Sequence, residues 1–229
     1  MISKHTIWKI IWVIVGNIII GIGCALFRIA NLGTDPFSCM NLGVSSHLPI
    51  SYGTYQMLWN FVFFMPMLIW YKKGIQIGSF INMIGVAYMS DLFIWLCSNF
   101  GFTIQNIQNL FAIRLLIMSV ALLLYCIGVA FYVECAIGVA PYDALGQIIE
   151  MWTNGKVKFY IARVLLDIVS VTIGFLTGSV IGIATLFTAC MTGPLVTWFR
   201  ENLARKILNS NNKKNLISSD RKNIGKISA

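Results

Sequence analysis

Four polar residues sit in otherwise apolar stretches at spacings that could build one site: Gln56, Asn60, Arg163 and Asp167. Arg163 and Asp167 are four residues apart, so a helix puts them on one face. Gln56 and Asn60 repeat that spacing 107 residues earlier. Charges within apolar helices are rare, turn into the bundle and mark function or a structural ion pair. As a polar centre the four would bind a polar solute, with Asp167 taking a cation or a proton. As a salt bridge, Arg163 and Asp167 would only fasten their helix. Two interrupted segments come next, Gly33-Thr34-Asp35-Pro36 and Gly138-Val139-Ala140-Pro141. Proline suits the first turn of a helix, where its missing N–H has no partner to lose. A short helix therefore begins at Pro36 and another at Pro141. The N-terminus of each offers free N–H groups and a partial positive charge to a polar ligand. Asp35 serves equally well as the cap of its own helix. Asp143, in the first turn of the other, is favoured by the helix dipole. Asn82 lies deep in its apolar run, placed to bond across helices. Asp91 lies near the end of the same run. Arg28 and Glu134 precede the two breaks and read as residues reaching for the membrane interface.

Enzyme chemistry finds little support. No HExxH, GxSxG or phosphate-cradling Gly-Lys loop is present. An intramembrane hydrolase would need paired aspartates such as Asp35 with Asp143, or Asp91 with Asp167. The six cysteines contain no CxxC and there are two histidines, His5 and His47, so neither a metal nor another cofactor is expected. Cysteine in an apolar run behaves as a small hydrophobe.

The elements that must position these residues follow from composition. Of 229 residues 58% are hydrophobic and 11% charged, with mean hydropathy +0.78. A soluble domain carries about 25% charged residues, so this chain is expected to lie in a lipid bilayer. Six runs are long and apolar enough to span: roughly 7–27, 53–71, 77–98, 110–132, 159–178 and 181–199. The first is followed by no small-residue cleavage site, so it reads as a span rather than a removable signal. The segments 36–48 and 141–152 are shorter and not expected to cross. With six spans and the N-terminus inside, Lys72, Lys73, Lys156, Lys158 and the tail all fall on the cytoplasmic side, as the positive-inside bias requires. Arg28 and Arg114 are the exceptions. The tail from 201 onwards is rich in lysine and arginine and expected to be disordered. Its charge suits anionic lipid headgroups better than nucleic acid.

The chain also repeats itself. GCALFRIANLGTDPFSCM from Gly23 recurs 105 residues later as GVAFYVECAIGVAPYDAL from Gly128. Gly23, Ala25, Gly33 and Pro36 return as Gly128, Ala130, Gly138 and Pro141, and Phe37 returns as Tyr142. Ser38 corresponds to Asp143, Gln56 and Asn60 to Arg163 and Asp167, and Ser79 and Asn82 to Thr185 and Thr188. Each copy holds three spans and one short helix: 1–105, then 106–200. An odd number of crossings inverts the second copy. Many secondary transporters have that architecture, with Gly/Pro-interrupted segments at matching positions marking the site.

At GTDPFSCMNLG, SFINMIGVAYMSDLF, GVAPYDAL and Gly193-Pro194-Leu195 the sequence resembles the YczE/YitT-like group of bacterial membrane proteins, more closely the YczE side. The resemblance implies a multi-pass protein of the bacterial cytoplasmic membrane and supplies no substrate or catalytic residue. The combined expectation is an all-α membrane bundle, built as a three-plus-three inverted repeat with both termini cytoplasmic. Its leading function is transport of a small solute, with a coupling ion or proton. The solute would bind between the repeats at Asp35, Gln56, Asn60, Asn82, Asp143, Arg163 and Asp167. The alternatives are a non-transporting scaffold, regulator or export accessory, then an intramembrane enzyme. Neither the solute nor the oligomeric state can be read from the chain.

Overall fold

In the computed structural model, which describes residues 4–107 and 109–208, the described residues form helices and turns without a strand. The helices are α1 (Lys4–Ala30), α2 (Pro36–Ser45), α3 (Tyr52–Trp70), α4 (Ile77–Asn99), α5 (Ile104–Ile107), α6 (Phe111–Cys135), α7 (Pro141–Trp152), α8 (Phe159–Leu176) and α9 (Ile183–Phe199). Four of them, α1, α4, α6 and α8, are long and apolar enough to cross a membrane. The other two expected spans fall short of that standard. Polar residues such as Gln56 and Asn60 dilute α3, and α9 has 17 residues. Large apolar side chains such as Leu116, Phe175, Leu176 and Leu186 face outward. Lipid accepts them without cost, whereas water would not.

At the centre α1 and α6 cross antiparallel. Gly16 packs against Gly128, where an added Cβ would stand 2.9 Å from the Gly128 carbonyl oxygen, and Gly23 packs against Tyr125. Small residues allow this approach of backbones. Next to them α4 runs parallel to α1, with Asn82 Nδ2 donating to Asn17 Oδ1 (2.7 Å) and Gly21 against Met89. On the other side α6 packs against α9. The short helices cross between the halves: α2 lies on α8 and α7 on α3. Along α2, Cys39 meets Gly174 and Gly43 meets Thr177, so α2 and α8 run the same way. Along α7, Ala144 and Ile148 cluster with Phe64 and Met67, and Trp152 stands against Trp70 at 4.6 Å.

Both breaks are built alike. α1 ends on Asn31 (φ 50°) and α6 on Ala136 (φ 51°), each left-handed, which turns the chain off the helix axis. Gly33 (φ 98°) and Gly138 (φ 137°) follow, at angles that glycine alone adopts cheaply. Each break then bonds to the start of a helix in the other half. Ala184 N donates to the Leu32 carbonyl (2.9 Å) and Gly78 N to the Ile137 carbonyl (2.8 Å). Thr34 N donates to Thr185 Oγ1 (3.2 Å) and Val139 N to Ser79 Oγ (3.1 Å). The irregular backbone is thus satisfied by protein, the condition for its survival in an apolar medium.

The helical path does not stop at residue 200. A π-turn over Arg200–Ala204 leads into helix through Leu208, and Ala204 and Leu208 are buried. Residues 201–208, expected to be part of a disordered tail, are therefore helical; the bases Lys213, Lys214, Arg221, Lys222 and Lys226 lie outside the described residues.

Candidate functional site

The two short helices begin side by side. Phe37, in the first turn of α2, stacks on Tyr142, in the first turn of α7, with ring centroids 4.6 Å apart. From that point α2 and α7 point away from each other, following α8 and α3. Asp35 caps α2 by accepting from Ser38 N (3.0 Å), and Asp143 sits in the first turn of α7. The helices that carry Asp35 and Asp143 diverge, but their N-terminal ends share one centre because the rings of Phe37 and Tyr142 stack.

On the α7 side the charges close on themselves. Arg163 bonds Asp143 and stands 3.4 Å from Asp167, and its guanidinium lies 4.3 Å above the Tyr142 ring. Tyr142 OH donates to Asp167 (2.8 Å) and lies 3.0 Å from Ser170 Oγ. One arginine thus bridges two carboxylates against an aromatic plate. The polar centre of Gln56, Asn60, Arg163 and Asp167 does not form as one cluster. Asn60 Nδ2 reaches the Met83 carbonyl (3.4 Å), Asn82 bonds Asn17, and Gln56 is buried with its Oε1 unpartnered. Their counterparts in the repeat are charged and find each other; the uncharged set has no such pull.

On the α2 side Asp35 is met by hydroxyl and backbone groups rather than by a cation. Tyr52 OH donates to Ser38 Oγ (2.9 Å), and the Thr34 hydroxyl stands 3.4 Å from Asp35. Arg28 lies 4.4 Å over the Tyr52 ring. Its partners lie within the fold: Asp91 binds it at 2.8 Å while Ser90 Oγ accepts at 3.1 Å. The other oxygen of Asp91 accepts from Gly53 N (2.7 Å), tying α1, α3 and α4 together. Glu134 is likewise internal to the fold, held by Arg200 (2.7 Å) and Arg205 (3.2 Å). Both arginines come from the helical segment that the sequence reading assigned to the tail's edge.

Beside this network lies a cavity of about 470 Å³. Phe27, Arg28, Thr34, Leu42, Ser46 and Gln105 are among the residues that line it, together with the α8–α9 turn at Gly178 and Ser179. It reaches the first break at Gly33 and Thr34, but not Asn60 or Asp167. Cavities of this size hold small molecules. Among the described residues no cluster of His, Cys, Asp and Glu is arranged for a metal ion.

The model of a family of unknown function, DUF6198, matches residues 7–201. The chain belongs to that family. It is similar to an uncharacterised protein of Haemophilus influenzae, at 27% identity over 191 residues, covering 82% of this chain and 81% of the relative. It is also similar to the uncharacterised protein YyaS of Bacillus subtilis, at 27% identity over 201 residues, covering 86% of this chain and 94% of the relative. No solved structure matches.

Sequence reasoning missed several participants. Tyr142 and Phe37 were noted as equivalent but not as partners, since a repeat alignment does not say which equivalent residues touch. Tyr52, Ser38 and Ser170 carried no signal beyond being polar in apolar runs. Thr34 was visible as part of a break, without the cavity that it faces.

Proposed function

We propose that this protein carries a small solute across the bacterial cytoplasmic membrane, using two three-span halves set upside down to each other. The observation that carries the reading is the reciprocal bonding of the two breaks, each to the other half, with both short helices starting from one centre beside a solute-sized cavity. Equivalent helices α1 and α6 run antiparallel, which is what inversion requires. Transporters of this kind bind at the interface between repeats, where helix N-termini face the substrate, and rock one repeat against the other. The side assignment draws on the charges. Lys72, Lys73 and Arg200 cluster at the end where Gly74 accepts from Val139 N, and the cavity opens at the end marked by Arg28 and the α8–α9 turn. With the lysines cytoplasmic, the cavity faces outward. The YczE-like resemblance agrees with this topology and adds no substrate.

The test begins with a thermal-shift screen of the purified full-length protein across metabolites and inorganic ions, since a ligand of the folded state raises the melting temperature. Hits are then followed as uptake into liposomes. Ser46→Trp, which puts bulk into the cavity, should abolish uptake while leaving the melting temperature near that of the wild type. Unchanged uptake removes the cavity from the route.

A second reading, a non-transporting membrane scaffold, draws on the closed Phe37–Tyr142 stack and on a cavity that stops short of Asn60 and Asp167. It predicts no uptake of any screened solute, and a partner protein recovered with the wild-type chain but lost when the exposed Leu186 on α9 is changed to Lys.

A further inference from the structure

Asp35 is 7% exposed, the most buried carboxylate among the described residues. Asp91, Glu134, Asp143 and Asp167 each touch an arginine. Among the described residues no basic group lies within ion-pair distance of Asp35. Its donors are Ser38 N, the Ser38 hydroxyl and the Thr34 hydroxyl, all neutral. The ionisable groups around it are Cys24 on α1, Tyr52 on α3, Tyr125 on α6, and Arg163 with Asp167 on α8. The cation in that set, Arg163, is already shared by Asp143 and Asp167, and Arg28, over the Tyr52 ring, is held by Asp91. Two buried amide oxygens elsewhere in the first half of the chain also lack a donor. Gln56, one turn beyond Tyr52 on α3, is 4% exposed with an unpartnered Oε1, and the buried Asn41 Oδ1 on α2 is unpartnered too.

A lone carboxylate in such a place is costly as an anion. Adding a proton removes the charge and turns one acceptor into a donor. A metal cation would need room beside the oxygens, and the cavity wall includes Thr34 and not Asp35. A proton needs no such room. It can pass from cavity water by way of Thr34, a residue of the cavity wall whose hydroxyl stands 3.4 Å from Asp35.

We propose that Asp35 is a proton-exchange site, held as the neutral acid when the cavity is open and exchanging its proton with cavity water by way of Thr34. A proton from hydronium adds to a carboxylate oxygen and leaves by the same route, with no other bond made or broken. The proposal deepens the transport reading by naming the proton as the coupling ion, and rests on that reading for the coupling alone. Occupancy of the site is measurable without transport.

The test is infrared spectroscopy of the full-length protein in lipid nanodiscs, labelled with ¹³C-aspartate. A label-shifted carbonyl band of a protonated carboxylic acid is expected at neutral pH. It should vanish in Asp35→Asn and persist in Asp91→Asn, Asp143→Asn and Asp167→Asn. Transfer to D2O should shift the band promptly in the wild type and slowly in Thr34→Val. Should Asp35→Asn fail to fold, the labelled wild type and the three other variants still decide, because the band must then survive every one of them. Absence of the band overturns the proposal. So does an ionised carboxylate whose stretch responds to added sodium. Band present without solute uptake sinks the transport reading and leaves Asp35 as a proton site; uptake without the band does the reverse.

Discussion

The ring of Phe37 lies on the ring of Tyr142, 4.6 Å between centroids and 18° from parallel, and the two residues occupy the same position in the two halves of the chain. The stack joins the first turns of α2 and α7 and is where a substitution should be felt by both short helices. Tyr142→Ala should cost about 3–5 kcal/mol, in the range of large-to-small core changes, read as a fall in thermal stability in detergent. Tyr142→Phe keeps the ring and loses the bonds to Asp167 and Ser170, so about 1–2 kcal/mol is expected. Equal losses for the two would mean that the hydroxyl, rather than the stack, holds the centre.

Arg163 holds Asp143 and Asp167 together. Arg163→Gln alone leaves two carboxylates facing each other without a cation, and should destabilise by about 3–5 kcal/mol. In the sequence repeat the uncharged residues Ser38, Gln56 and Asn60 stand where Asp143, Arg163 and Asp167 do. The triple change Asp143→Ser, Arg163→Gln, Asp167→Asn should recover most of that loss. A triple variant no more stable than Arg163→Gln would show that the charges support more than each other.

Gly138 has φ 137°, and an added Cβ would stand 2.6 Å from Ser79 N; at Gly33 the φ is 98° and Thr185 Oγ1 would be 2.5 Å away. Gly138→Ala and Gly33→Ala should each lower the melting temperature sharply, through both strain and collision. Gly193, on α9 with nothing within 4 Å of its added Cβ, should accept alanine with little change. Similar melting curves for all three would mean that the breaks are not held as described.

The sidedness of the bundle can be read by thiol labelling of intact cells, in a background where the exposed Cys190 is replaced by serine. A cysteine at Lys72 should react only after the membrane is permeabilised. One at Gln105, on the cavity's rim, should react from outside. Lys72 labelled from outside would contradict both the inward placement of the lysines and the outward cavity.

Some of this protein was already decided along the chain. Apolar runs of spanning length are local, so α1, α4, α6 and α8 were legible from composition, and Pro36 and Pro141 marked the first turns of α2 and α7 because proline's missing N–H fits there. The spacing of Arg163 and Asp167 fixed their shared face, and the pair forms. Gly33 and Gly138 announced turns because few other residues reach their backbone angles cheaply. What remained undecided was every contact between segments far apart in sequence. That Arg28 meets Asp91, that Glu134 meets Arg200, that Asn82 bonds Asn17 while Asn60 turns to a carbonyl, and that the starts of the two short helices coincide all depend on how helices cross. Crossing is set by summed packing at small residues such as Gly16 and Gly128, over distances that a residue's neighbours in the chain do not encode. Asp35 shows the difference most clearly: its type and its cap were written in the sequence, whereas its lack of an ion-pair partner among the described residues exists only in the folded bundle.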